Sequence, residues 1–127
     1  MTALHDQRIQ RFLDAGLYLV TSARFSKGRS TLDILRSALD NGVRLVQLRE
    51  KDLPIRALIK LAEQARRLTA ETGALLLLND HVDIALAVGA DGVHLGQDDF
   101  PIDAARRLAP DLILGASSHS VAEARAA

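Results

Sequence analysis

Four consecutive leucines, Leu75 to Leu78, restrict the fold of this chain more than any other feature. The run has the length of a β-strand and carries no polar residue for either face. This pattern is typical of a strand that is buried on both sides in a parallel sheet. The run ends abruptly in Asn79 and Asp80. Because parallel strands end at the same edge of a sheet, polar residues there are placed to meet others from neighbouring strands.

A short apolar run followed by a helical pattern recurs along the whole chain. Besides the leucine run, strands are predicted at 17–21, 43–48, 92–95 and 112–115, and helices at 5–15, 31–40, 54–73, 81–88 and 102–108. The strand at 17–21 is nearly all apolar, so it is also predicted to be buried on both faces. This alternation predicts an α/β protein, closed either as a doubly wound open sheet or as a (β/α)₈ barrel. A barrel needs eight units and five are visible, so the pattern alone leaves both closures open.

Composition excludes several classes of function. The 127 residues have the size of one domain, expected to span 1–127. Lys plus Arg equals Asp plus Glu at 16 each, and aromatic residues make up only 3%, so nucleic-acid binding is not indicated. The absence of cysteine excludes disulfides and thiolate metal sites and fits a reducing compartment. With strand-sized apolar runs and no signal-peptide pattern at the N-terminus, we expect a cytoplasmic protein that does not interact with membranes.

Basic and amide side chains follow the second predicted strand. Gln47, Arg49 and Lys51 alternate along the chain, so all three can face the same side. Together they would offer a phosphate group a guanidinium fork and an ammonium group. The alternative is an ordinary solvated loop, which these residues alone favour because charged residues commonly follow strands.

Carboxylates follow the third and fourth predicted strands. Asp80 comes directly after the leucine run, and Asp98 and Asp99 follow the strand at 92–95. If these side chains converge at one edge of the sheet, they could hold a divalent cation. Each also has a simpler explanation, because Asp80 suits a helix N-cap and Asp98 or Asp99 suits the dipole at a helix start.

The four histidines do not form a zinc motif, since HExxH spacing and cysteine ligands are both missing. His5 and His81 are expected at the surface. His94 lies inside an apolar strand and is expected in the core or lining a pocket. His119 follows Ser117 in a serine-rich loop, where it is equally well explained as an acid/base or as a loop residue. No GxSxG motif accompanies the serines, which argues against a serine hydrolase.

These motifs occur together in the order and spacing of a known family. The segments are QLREK at 47–51, LLND at 77–80, GADGVHLGQDD at 89–99 and LGASSHS at 114–120. From about Leu17 onward the chain resembles the thiamine phosphate synthase family, which includes the TenI-like proteins. Four motifs in register make the match much more specific than any one of them. The resemblance implies a TIM (β/α)₈-barrel fold and therefore favours the barrel over the open sheet.

The resemblance implies a transferase of thiamine biosynthesis. Such an enzyme couples hydroxymethylpyrimidine diphosphate to hydroxyethylthiazole phosphate, giving thiamine phosphate and pyrophosphate. It implies Mg²⁺ as the cofactor, held by Asp80 and Asp99 where the ion bridges the diphosphate. No protein nucleophile or general base is implied, because Mg²⁺ and basic donors assist the departure of pyrophosphate.

The resemblance also implies the contacts to the substrate. Lys51 and Asn79 would contact diphosphate oxygens, with Arg49 nearby. The residues that would line the pyrimidine pocket are Gln47, His94 and Ser117.

Five of the eight units of such a barrel are visible in these 127 residues. The lysine that the family places after strand six, and the glycine-rich phosphate loops after strands seven and eight, are not among them. We therefore expect the chain to be inactive alone, and we expect the edges of its first and fifth strands to favour self-association. One alternative is a TenI-like thiazole tautomerase in which His119 moves a proton, and another is a non-catalytic half barrel that pairs with another chain. Asp80 and Asp99 favour the synthase over the tautomerase, which binds no diphosphate.

Overall fold

A computed structural model describes residues 1–22, 28, 30–118 and 120–126 of the chain. The helices are α1 (Ala3–Asp14), α2 (Thr31–Asp40), α3 (Ile55–Thr72), α4 (Val82–Val88), α5 (Ile102–Leu108) and α6 (Val121–Ala126), and the strands are β1 (Leu19–Val20), β2 (Leu45–Leu48), β3 (Leu75–Asn79), β4 (Gly92–Leu95) and β5 (Ile113–Ala116). Every predicted helix and strand is present, with ends that differ by a few residues. The chain is thus an α/β protein in which each strand is followed by a helix.

The five strands form one parallel sheet in the order β1-β2-β3-β4-β5. A doubly wound sheet reverses its direction of growth partway along the chain, whereas a (β/α)₈ barrel adds each strand beside the previous one. The observed order therefore confirms the TIM-barrel type of fold. The register places Asn79, His94 and Gly115 side by side near the carboxyl ends of the strands.

The leucine run is buried on both faces, as predicted. Leu76 and Leu78 face outward into the main core, which β3 and its neighbours form with helices α2 to α5. Leu75 and Leu77 face inward, where a smaller cluster packs against Ile9 and other residues of α1. The exposed fraction of all four leucines is at most 2%.

A buried carboxylate holds α1 against the amino ends of the strands. Asp91, which is 6% exposed and directly precedes β4, pairs with Arg8 of α1 at 3.2 Å and with Arg66 of α3 at 2.7 Å. The backbone N–H of Leu76 also donates to the Asp91 carboxylate over 2.9 Å. Arg8 in turn donates to the carbonyl of Asp111 over 2.7 Å. One side chain therefore connects two helices and two strands at this end of the sheet.

Two sequence expectations are wrong at this end of the molecule. The predicted strand at 17–21, of which β1 forms the centre, is not buried on both faces, since Leu17 is 70% exposed and Val20 46% exposed. The reason is that β1 is an edge strand, paired with β2 alone. His5 is buried rather than exposed, because it lies four residues before Ile9 on the face of α1 that packs inward.

No helix in the described ranges combines the length and the apolar character that crossing a bilayer requires.

Replacing Asp91 by Ala is expected to lower the free energy of unfolding by about 3 kcal/mol, because it leaves two partly buried guanidinium groups without their carboxylate. Urea denaturation at neutral pH measures this loss. Asp111→Ala is the matched control at the same end of the sheet. Its exposed side chain is not the group that Arg8 contacts, so its effect should stay below about 0.5 kcal/mol. Equal losses in the two variants would contradict this account of how α1 is held.

Candidate functional site

A polar cleft of about 340 Å³ lies at the carboxyl ends of the strands. Its lining residues are Val20, Gln47, Arg49, Lys51, Asn79, Asp80, His94, Gly96, Asp99 and Ser117. The residues that the resemblance implies for substrate and Mg²⁺ binding are all among them, whereas Asp98, the other carboxylate considered for a cation, is not. His119, the possible acid/base, lies outside the described residues. The structure therefore brings together predicted site residues that are up to 70 positions apart in sequence, as from Gln47 to Ser117.

Asp80 and Asp99 form a hydrogen-bonded acidic pair. Burial, followed by the hydrogen bond to Asp99, raises the pKa of Asp80, whereas the same hydrogen bond lowers the pKa of Asp99. The ammonium of Lys51, whose Nζ lies 3.7 Å from Asp80 Oδ2, opposes the rise. Two carboxyl groups this close compete to remain ionised, so the pair has affinity for a proton or for a cation.

The backbone fixes both carboxyl groups of the acidic pair. Asp80 has a φ of +73°, a left-handed conformation that costs a residue with a side chain about 1 kcal/mol. The turn is held by the Asp80 N–H, which donates to the carbonyl of His94 over 2.8 Å. Asp99 Oδ2 accepts a hydrogen bond from the Gly96 N–H over 2.7 Å. A Cβ on Gly96 would lie only 2.9 Å from that oxygen, so a larger residue there would displace the Asp99 carboxylate.

The loop after β2 is tied to two neighbouring elements. The Arg49 N–H donates to Thr21 Oγ1 over 3.0 Å, just beyond the end of β1. Thr31 Oγ1, in the first turn of α2, donates to Glu50 Oε1 over 2.7 Å. These two contacts hold the segment from Arg49 to Lys51, whose cationic side chains line the cleft on either side of Glu50.

His94 and Ser117 form the side of the cleft opposite the loop after β2. His94 Nε2 lies 2.7 Å from Ser117 Oγ, and Gln97 Nε2 donates to the Ser117 carbonyl over 2.6 Å. Gly115 gives the imidazole its space, because a Cβ there would lie 2.6 Å from His94 Nδ1. His94 is therefore a pocket-lining histidine with a polar partner, one of the two positions predicted for it.

A chain of polar contacts connects β1 to the acidic pair. Gln47, which is only 5% exposed, lies 2.8 Å from the Tyr18 hydroxyl and 3.1 Å from the Asn79 amide. The other end of the Asn79 amide lies 3.0 and 3.3 Å from the two carboxylate oxygens of Asp80. These polar contacts thus run without a break from Tyr18 to Asp80.

Sequence reasoning missed Tyr18, Thr31 and His81 as parts of the site. Alternation along the predicted strand at 17–21 could have placed Tyr18 on the inward face with Val20. No local pattern reveals that Thr31 bonds to Glu50, because 19 positions separate the two residues. His81, expected at the surface, lines a pocket of about 160 Å³ beside the cleft, and its charge lowers the pKa of Asp80.

The acidic pair is not a complete metal centre. Within the described ranges, no group of three or more His, Cys, Asp or Glu side chains converges around a common point. A cation held by Asp80 and Asp99 would therefore take its remaining ligands from water or from a bound substrate.

Comparison with known proteins places the chain among thiamine biosynthetic proteins. The thiamine-phosphate synthase of Pelotomaculum thermopropionicum is 45% identical over 116 residues, which are 91% of this chain and 53% of that protein. A putative thiamine-phosphate synthase of Geobacter sulfurreducens is 52% identical over 116 residues, 91% of this chain and 54% of that protein. The solved structure of thiamine phosphate pyrophosphorylase from Pyrococcus furiosus has a TM-score of 0.81 at 41% identity and covers 88% of this chain and 54% of its own. The chain thus spans about half the length of the relatives it matches.

The family profile described as thiamine monophosphate synthase (TMP-TENI) matches residues 17–127. This range contains all five strands and every residue that lines the cleft. It also contains the four motifs on which the resemblance was based. The chain therefore belongs to the thiamine monophosphate synthase (TMP-TENI) family.

Proposed function

We propose that the cleft binds hydroxymethylpyrimidine diphosphate together with Mg²⁺, and that the chain forms this part of a thiamine phosphate synthase. The proposed reaction transfers the pyrimidine to hydroxyethylthiazole phosphate and releases pyrophosphate. The observation that carries the proposal is the acidic pair Asp80 and Asp99 beside Lys51, in a cleft at the strand ends. A relative named thiamine-phosphate synthase at 45% identity and one named putative thiamine-phosphate synthase at 52% identity support it.

The donor set of the acidic pair fits Mg²⁺. This ion typically binds through one or two carboxylates and the phosphate oxygens of a substrate, rather than through a cage made wholly of protein ligands. Asp80 and Asp99 are close enough to hydrogen-bond each other, so both can reach one ion. The N–H of Gly96 already holds one oxygen of Asp99 and leaves the other available.

The basic side chains of the cleft would act on the diphosphate. Departure of pyrophosphate concentrates negative charge on the leaving group, and Mg²⁺ supplies neutralising charge there when it is bound. Lys51 and Arg49 would add positive charge from the loop after β2, which Thr21 and Thr31 hold in place. Asn79 would donate a hydrogen bond to a diphosphate oxygen.

The opposite side of the cleft would orient the pyrimidine ring. Gln47, His94 and Ser117 present an amide, an imidazole and a hydroxyl to this region. The aminopyrimidine releases electrons to the methylene carbon as the bond to diphosphate breaks, and the thiazole nitrogen then attacks that carbon. No protein nucleophile or general base is required, so these residues contribute by binding the ring in line and excluding water.

The acidic pair favours this function over a TenI-like thiazole tautomerase, in which there is no diphosphate for a cation to bridge. The tautomerase stays a prediction, because His119 lies outside the described residues. Inactivity of the chain alone, a non-catalytic half barrel that pairs with another chain, and self-association through the edges of β1 and β5 also stay predictions. Analytical ultracentrifugation of the purified chain tests self-association.

Calorimetry with hydroxymethylpyrimidine diphosphate tests the proposed function. We expect binding by this chain to be weak or absent, and to become tight and Mg²⁺-dependent in a chimera that continues it with the rest of the Geobacter relative. In the chimera, Asp80→Asn or Asp99→Asn should weaken binding at least about tenfold, because each removes a carboxylate ligand. Asp98→Asn is the matched control, since Asp98 does not line the cleft. Absence of binding by the chimera, or equal loss in all three variants, would rule out the assigned site.

Asp80→Asn is expected to stabilise the folded chain at neutral pH. The pKa of Asp80 is raised on folding, so its contribution to stability is present below the unfolded pKa and is lost as pH rises through the folded pKa. Asn removes the charge and tolerates the left-handed backbone, so the melting temperature at pH 7 should rise by about 1–3 °C. Circular dichroism melts between pH 3 and pH 8 should show this gain disappear as pH falls through the Asp80 pKa. A gain that is the same at every pH would contradict the assignment.

Gly115→Ala is expected to weaken binding of the pyrimidine but not of pyrophosphate. The added methyl group would meet His94 Nδ1 at 2.6 Å, so the imidazole must leave its contact with Ser117. Affinity of the chimera for the pyrimidine diphosphate should fall roughly tenfold, the typical effect of losing one positioned contact. Inorganic pyrophosphate with Mg²⁺ is the internal control and should bind as before. An equal loss for both ligands would show that the substitution disturbs the whole cleft.

A further inference from the structure

The chain of contacts from Tyr18 to Asp80 can be hydrogen-bonded in two directions, because each amide presents a nitrogen on one side and an oxygen on the other. In the first direction, Asn79 Nδ2 donates to Gln47 Oε1 over 3.1 Å and Gln47 Nε2 donates to the Tyr18 oxygen over 2.8 Å. Asn79 Oδ1 then faces the two carboxylate oxygens of Asp80 at 3.0 and 3.3 Å. Oxygen atoms that face one another at these distances repel.

In the second direction both amides are turned over. Asn79 Nδ2 then donates to Asp80 Oδ2 over 3.0 Å, a charge-assisted hydrogen bond. Asn79 Oδ1 accepts from Gln47 Nε2, and Gln47 Oε1 accepts from the Tyr18 hydroxyl. Every hydrogen-bond donor between Tyr18 and Asp80 now faces an acceptor, so hydrogen bonding favours this direction.

The second direction requires a donor at its far end, and the Tyr18 hydroxyl is that donor. Burial raises the pKa of Tyr18, so the phenol keeps its proton at neutral pH. The ring is held edge-on against Phe12 of α1, with ring centroids 5.7 Å apart and an interplanar angle of 81°. The Tyr18 hydroxyl lies 2.8 Å from Gln47 Nε2, and the Gln47 side chain is almost fully buried.

We propose that Tyr18 is a positioning residue of the cleft, whose hydroxyl acts through Gln47 to turn Asn79 Nδ2 toward Asp80 and the adjoining anion subsite. An anionic ligand needs an N–H donor at this position and is repelled by a carbonyl oxygen. The direction of the amide chain therefore decides whether Asn79 assists or opposes anion binding. The assignment of a diphosphate to the subsite rests on the proposed function, whereas the direction of the chain does not.

The tyrosine doublet in the ultraviolet resonance Raman spectrum tests the direction, because its intensity ratio distinguishes a phenol that donates from one that accepts. Tyr18 is the only tyrosine in the chain, so the signal has a single source. In the wild-type chain without ligand, we expect the intensity ratio that is typical of a phenol donating a hydrogen bond. A ratio typical of a phenol that accepts one would establish the first direction and overturn the proposal.

Tyr18→Phe tests the consequence for binding, because it removes the hydroxyl and keeps the ring. By calorimetry in the chimera described above, inorganic pyrophosphate with Mg²⁺ should bind the Tyr18→Phe variant roughly threefold to tenfold more weakly than the unsubstituted chimera, the effect of losing one oriented hydrogen bond. Phe12→Leu is the matched control, since it disturbs the packing of the same ring but leaves the hydroxyl. Its affinity should stay within about twofold of the unsubstituted chimera. Unchanged affinity in Tyr18→Phe, or an equal loss in both variants, would overturn the proposal.

Failure of this proposal is distinguishable from failure of the proposed function. If the wild-type chain and the chimera described above both release no heat with pyrophosphate and Mg²⁺, the anion site itself is refuted. The Raman reading of Tyr18 is made without ligand and still decides the direction of the amide chain.

Discussion

Burial of β3 on both faces is the constraint on which the rest of the structure depends. A strand with no polar residue until its last position must be covered on both sides, and the outer side is covered by the helices that follow each strand. The inner side near the amino ends is covered by α1. The same requirement fixes where the cleft lies, because the amino end is closed by α1 and the carboxyl end, where Asn79 begins the polar sequence, stays open to ligands.

The open end concentrates features that do not favour stability. Asp80 adopts a left-handed backbone, its carboxyl group faces that of Asp99, and the nearest cation that pairs with it is a half-exposed lysine at 3.7 Å. The first two of these raise the free energy of the fold slightly, the exposed lysine offsets only part of that cost, and the sheet beneath keeps the arrangement in place. Such a combination is expected where a protein is organised to bind a cation and an anion together.

The fold and the lining of the cleft were largely predictable from sequence because both follow from periodicity. Alternation along β2 correctly predicted that Gln47, Arg49 and Lys51 share a side, and the ends of parallel strands brought Asp80 and Asp99 together. What the sequence did not reveal depends on partners that only the folded chain supplies. Periodicity does not indicate whether other residues pack over an edge strand such as β1. It also cannot orient a side-chain amide, since Gln47 and Asn79 each allow two orientations until their neighbours are known.

Two aspartate sites near the ends of β4 show how environment divides structural from functional carboxylates. Asp91, before the strand, has two arginines at 3.2 and 2.7 Å and a backbone N–H, so its charge is fully compensated inside the protein. The acidic pair beyond the other end of β4 has two carboxyl groups and one ammonium within ion-pairing distance of Asp80. A fully buried charge must be matched within the protein, whereas a partly exposed pair need not be, so the first site has no capacity left for a ligand. The second site retains negative charge that a cation can neutralise, and the cation would in turn admit an anion beside it.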